Sequence, residues 1–215
     1  MTSQPATTVA PVSTPVDPSS DGRVFACFDV ETTRLDPRSG HVIEVAVVRI
    51  RADGTPMGEW TTLIDPGTAD VGRSDIHGIR SEWLPDAPRF AQIAGDLAGQ
   101  LDGCIPVAHN ERFDVGFLVE EWGRAGLGSL KLEAVDTLPL ARALGLPGRL
   151  GLLAGAVGVP LDDAHRALAD TRALAGVLVA LLERGARPPS FPIFDPPRPT
   201  PDPSGIRQDR PSVVA

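Results

Sequence analysis

The run "RVFACFDVET", residues 23–32, limits the fold more than any other stretch of the chain. From Val24 to Phe28 it is apolar without a break and carries β-branched and aromatic side chains. A strand with one wet face alternates apolar and polar residues, whereas a strand apolar at every position must be covered on both faces. The run is therefore a central strand of a sheet flanked on both sides. It ends in Asp29, skips Val30 and continues with Glu31. Alternate side chains of an extended backbone share a face, so the two carboxylates project together and Val30 points away. Side by side at the end of a buried strand they repel, and burying them is costly unless a cation lies between them. Mg²⁺ and Mn²⁺, hard ions with oxygen ligands, meet that need. On this stretch alone, a solvated loop just past the strand is an equal reading.

The rest of the pattern supplies the other layers. "HVIEVAVVRIRA" (41–52) and "GEWTTLID" (58–65) are further strands separated by the turn "RADGTPMG", which gives an antiparallel meander. From "RFAQIAGDLAGQL" (89–101) the period becomes helical. "CIPVAH" (104–109) is a short strand, 111–126 a helix and "LKLEAVD" (130–136) another strand. Residues 137–145, 149–158 and 162–185 complete the chain as helices, the last the longest. Strands first, then alternating helices and strands, give an α/β fold with a mixed sheet.

Two later stretches bear on the carboxylate pair. "VAHNERFDVGFL" passes from strand to helix and puts Asp114 in the first turns of that helix. "HRALAD" places His165 and Asp170 five apart near the start of the long helix, Asp170 within a run of Ala and Leu. Each is weak alone, because an Asp near a helix start is favourable for dipole reasons without any ligand.

Taken in order, "FDVETT", "HGI" at 77–79, "AHNERFD" and "HRALAD" resemble the 3′–5′ exonucleases of the DnaQ-like DEDD group, and the His five residues before the last Asp places the resemblance in the DEDDh branch. It covers residues 23–184 and implies a ribonuclease-H-like fold, with a five-stranded mixed sheet of three antiparallel then two parallel strands. It also implies that Asp29, Glu31, Asp114 and Asp170 hold two divalent cations, Mg²⁺ or Mn²⁺, and that His165 is the general base. Two cations about 4 Å apart can generate a hydroxide and stabilise the leaving 3′ oxygen. An imidazole, with an ordinary pKa of about 6.5, can take the water's proton near neutral pH. By the same resemblance Thr32, Thr33, Leu35 and His77 lie near the terminal nucleotide, and Asn110 and Phe113 orient the strand or support the ligands. For His77 and Asn110 a plain loop or helix-start hydrogen bond is an equal reading. Asp136 reads as a helix cap. The family usually has Gly where this chain has Arg34, which implies either a narrower nucleotide pocket or an added phosphate contact.

The implied activity is removal of nucleotides from 3′ ends of single-stranded or frayed DNA, as in the proofreading ε subunits of bacterial DNA polymerase III. The alternatives are an RNA-trimming enzyme of the same fold and a binding module that has lost the chemistry. All five catalytic positions are filled, against the last. A formal charge of −8 argues against holding nucleic acid by bulk electrostatics, and it fits a site in which cations meet the phosphate.

The termini differ from this domain. Residues 1–22 are rich in Thr, Ser and Pro, and residues 187–215 hold nine prolines, so both are expected to be disordered around an exonuclease domain at 23–186. The C-terminal tail is the expected contact with a polymerase subunit. No apolar run approaches the roughly 20 residues that span a bilayer. Cys27 and Cys104 sit in apolar runs and read as buried free thiols of a cytoplasmic protein.

Overall fold

A computed structural model of the chain describes residues 22–161 and 165–197. The expected sheet is present, with strands β1 (Val24–Thr32), β2 (Val42–Arg51), β3 (Pro56–Leu63), β4 (Ile105–Ala108) and β5 (Val135–Asp136). Their spatial order is β3-β2-β1-β4-β5. β1 and β2, and β2 and β3, pair antiparallel, whereas β4 lies parallel to both β1 and β5. The uniformly apolar β1 thus lies at the centre. Helices α1 (Ser74–His77), α2 (Phe90–Leu101), α3 (Arg112–Arg124), α4 (Thr137–Ala143), α5 (Leu150–Val157) and α6 (Ala167–Glu183) complete the domain.

The period of β1 divides the core into two. Ala26, Phe28 and Val30 pack with Phe90, Leu97, Phe117 and Trp122 of α2 and α3. Phe25 and Cys27 face Leu140, Leu153, Leu174 and Leu178 of α4, α5 and α6. Asp29 and Glu31 continue the row of Phe25 and Cys27, so the acids emerge on the α6 side of the sheet. Both cysteines are buried and free, and burial pushes the Cys27 thiol well up.

Three expectations need correction. The strand expected over 130–136 shortens to Val135–Asp136, because its partner β4 has only four residues and Leu130 and Leu132 turn into the α2–α3 core. The long helix starts at Ala167 and not at 162; His165 stands before it with a left-handed φ of 70°, followed by extended Arg166. The disordered tail expected from residue 187 does not hold for 187–197. There the Gly103 N–H donates to the Phe194 carbonyl and the Phe194 N–H to the Cys104 carbonyl, at 3.0 and 2.9 Å. Phe194 is buried, and Phe191 packs on Phe25 beneath the Arg23 guanidinium. The calls on 1–21 and 198–215 lie outside the described residues. No described helix is long and apolar enough to cross a membrane.

Candidate active site

The acids converge where β1 ends. Asp29 and Glu31 come from β1 and Asp170 from the first turn of α6, and one carboxylate oxygen of each lies within 4.8 Å of the others. Asp114, in the first turn of α3, is buried, and its Oδ1 accepts the Val30 N–H at 3.1 Å. It therefore docks on the strand between the other two acids. Asp170 Oδ2 accepts the His165 N–H at 2.9 Å, which folds the His165 segment back over the start of α6.

Electrostatics set this cluster apart from a solvated strand end. Burial first, then repulsion from Asp170, Glu44 and Asp114, pushes Glu31 up to about 8. Asp29 is held well above the ordinary carboxylate range by burial and by Asp114, Glu31 and Asp170. Burial also raises Asp114 to about 7, against the lowering effect of the Val30 N–H, and raises Asp170. Such destabilised, convergent oxygens are a donor set for a hard divalent cation, which would relieve both the repulsion and the lost solvation. The residues fit that ion, and Asp29 and Glu31 lie within strand β1 and not in the loop after it.

Beside the acids lies a cleft of about 640 Å³ lined by Asp29, Asp170, His165, His109, Arg149 and Leu152. The exposed His165 reaches it from the segment just before α6 and the exposed Arg149 from the start of α5. The remaining expected residues divide. Leu35 is 85% exposed next to the acids in sequence. Thr32 Oγ1 donates to the Arg34 carbonyl. Thr33 is buried, and its hydroxyl accepts the His41 N–H, closing the 33–41 loop. Arg34 pairs with Asp70 at 2.8 Å, both exposed. Its backbone lacks the positive φ that only glycine takes freely, so the Gly-to-Arg departure strains nothing.

His77 is buried 2% exposed, with Nδ1 accepting the Ile79 N–H and Nε2 donating to the Val71 carbonyl. Both nitrogens serve the loop, the plainer of its two readings. Asn110 takes a φ of 67°, and its N–H donates to Asp136 Oδ1, which also accepts the Leu138 N–H at the start of α4. Asp136 caps the helix as expected and also fixes the turn into α3 that carries Asp114. Phe113 packs on Phe117 at 5.0 Å between ring centres.

Three residues were missed from sequence. His109 is held between the Thr137 hydroxyl and the Gly148 carbonyl at the cleft wall, and Arg149 completes that wall. Glu44 is buried on β2, directly across from Glu31. Its signal was a lone acid inside the apolar run "HVIEVAVV".

A carboxylate cluster at the end of the central strand of this sheet, beside an open cleft, defines a metal-dependent nuclease of ribonuclease-H-like fold. Known proteins agree. Residues 26–178 match the model of the RNase T exonuclease family. The ε subunit of DNA polymerase III from Treponema pallidum is 34% identical over 172 residues, 76% of this chain and 78% of that protein. The PolC-type DNA polymerase III of Staphylococcus saprophyticus is 32% identical over 165 residues, 74% of this chain but 11% of that much longer protein. The nuclease domain of 3′hExo, a DEDDh family member bound to rAMP, superposes with a TM-score of 0.69 at 15% identity, over 83% of this chain and 99% of that domain. The chain belongs to the RNase T exonuclease family, and its fold is the one seen in that DEDDh nuclease domain.

Proposed function

We propose that the protein removes nucleotides from the 3′ ends of single-stranded or frayed DNA in proofreading or repair. The observation that carries this is the meeting of Asp29, Glu31 and Asp170 within 4.8 Å, with Asp114 docked on Val30 between them. Asp29, Glu31, Asp114 and Asp170 would hold two Mg²⁺ or Mn²⁺ ions, which activate water and neutralise charge on the scissile phosphate when bound. His165 takes the proton of the attacking water from the open side of the cleft, its main chain fixed by Asp170. Leu35 offers an apolar surface to the terminal base, and Arg34 and Arg149 face the strand as cations. Thr32, Phe113 and Asn110 shape the walls that position that strand. His77 and Thr33 act through the loops they close.

Similarity to polymerase III ε supports DNA as the substrate and a polymerase as a working partner in the cytoplasm. Residues 187–197 pack on their own domain, so contact with a partner through the tail would fall to residues 198–215.

The test is digestion of 3′- and 5′-labelled oligonucleotides with Mg²⁺ or Mn²⁺. Single-stranded DNA, matched and 3′-mismatched duplex, and RNA are compared. Expected is stepwise release from the 3′ end, with mismatched exceeding matched duplex and DNA exceeding RNA. Preference for RNA would favour the RNA-trimming alternative. No hydrolysis in either metal between about pH 6 and 9 would leave the fold as a binding module.

A further inference from the structure

Glu44 is 4% exposed and faces Glu31 across the β1–β2 pair, on the side of the sheet that carries the acids. Burying one more carboxylate beside a repelling cluster is costly unless it is satisfied by specific donors. Glu44 finds them in α6. Its Oε2 accepts the Ala167 N–H at 3.2 Å, from a residue 123 positions later, and its Oε1 faces the Arg166 guanidinium at 3.7 Å. The first amides of a helix have no partner within it, and the cap residue Arg166 makes no side-chain capping bond. Glu44 therefore supplies from β2 the cap that α6 lacks, and as an anion it also suits the positive end of the helix.

We propose that Glu44 is a positioning residue: its carboxylate fixes the start of α6 against β2 and so sets where Asp170 and His165 stand relative to Asp29 and Glu31. The link is short. Ala167 is three residues before Asp170, and Asp170 in turn holds the His165 N–H. A start of α6 that frays moves one of the three clustered carboxylates and the proposed base together.

The proposal rests on the carboxylate cluster as the metal site, and the experiment separates the two. Glu44→Gln, Glu44→Ala and Glu44→Asp are made in the full chain. Mn²⁺ affinity is measured calorimetrically without nucleic acid, amide exchange at Ala167 is followed, and kcat and KM are determined. Gln keeps an acceptor at the same reach, so Mn²⁺ affinity and kcat stay within about threefold of wild type. Ala removes the acceptor, and Asp keeps the charge but falls short. Both should weaken Mn²⁺ binding by about 10- to 100-fold, speed exchange at Ala167 and lower kcat with KM little changed. Wild-type protection of Ala167 and wild-type Mn²⁺ affinity in Glu44→Asp would overturn the proposal, as would Gln proving as damaging as Ala. Should Glu44→Ala not fold, the Gln and Asp variants decide alone. Asp170→Asn is the control for the site itself: if it binds Mn²⁺ as tightly as wild type, the cluster reading fails, while exchange at Ala167 still judges the role of Glu44.

Discussion

Asp114 Oδ1 accepts the backbone N–H of Val30 at 3.1 Å, joining residues 84 positions apart at the point midway between Asp29 and Glu31. The apolar side chain of Val30 lies in the α2–α3 core, so its amide is held by strand and core together. The acids are thus gathered by the fold, and their repulsion is a standing cost to the protein. Such a site gains most from the cation it binds.

That cost makes stability depend on pH. In the folded protein Glu31 is pushed from 4.5 up to about 8 and Asp114 from 3.8 up to about 7. Between those limits the folded chain binds more protons than the unfolded one, so the slope of stability with pH is negative. The contribution is full below the ordinary values and is lost as pH rises through about 8. With EDTA, the Tm measured by calorimetry should fall from about pH 5 to 8.5, and millimolar Mn²⁺ should remove the fall because the ion binds the deprotonated oxygens. Glu31→Gln should flatten the EDTA curve. A Tm in EDTA that climbs over this range would contradict the cluster.

His165 is exposed and stands on left-handed backbone, outside the helix. Asn tolerates that conformation better than most residues. His165→Asn should therefore fold with a Tm within about 2 °C of wild type, and its kcat should drop by roughly 10² to 10⁴. Stopped-time assays on a labelled oligonucleotide, beside a thermal melt, check both halves. A near-normal rate would remove His165 from the chemistry.

Much of this was legible in the residues, and what was not has identifiable causes. The unbroken apolar run of β1 required a two-sided sheet, and a period of two put Asp29 and Glu31 on one face. Asp114 could be placed on a helix start, but its bond to Val30 depends on packing between distant segments. Glu44 was visible as an acid in an apolar strand; its partner Ala167 is a backbone amide, which no side-chain pattern announces. Thr33 and His77 show a structural role that the motifs alone do not state. The family resemblance placed both near the terminal nucleotide, and in the structure both also satisfy the main chain of their own loops. His165 was singled out by the resemblance of "HRALAD" to the family, whereas its left-handed backbone was not, since an apolar helical period can be continued backwards past the true start.

Arg34 and Asp70 form an exposed ion pair beside the start of the site. Such pairs contribute roughly 0–1 kcal/mol, so breaking this one should barely change stability. Its effect should appear with substrate. Asp70→Ala frees the guanidinium for a phosphate and should lower KM severalfold. Arg34→Gly should raise KM and reduce the slope of log KM against log salt by about one. Kinetics between about 50 and 200 mM salt decide this, and identical KM values in both variants would show that Arg34 serves only its ion pair.

The Pro-rich segment after α6 supplies the last prediction. Phe194 is 5% exposed in the α2–α3 core, and its main chain bonds to Gly103 and Cys104, beside the start of β4. Its neighbour Ile193 is 69% exposed. Composition gives both the same tail-like character, but burial separates them. Phe194→Ala should cost about 3–5 kcal/mol, the usual loss for a buried aromatic, whereas Ile193→Ala should stay within about 0.5 kcal/mol. Urea unfolding of both variants measures the difference. Equal midpoints would mean that residues 187–197 do not belong to the folded domain. A large gap would move the functional boundary of the nuclease past residue 186, so that a domain cut there would lose stability before losing any residue of the site.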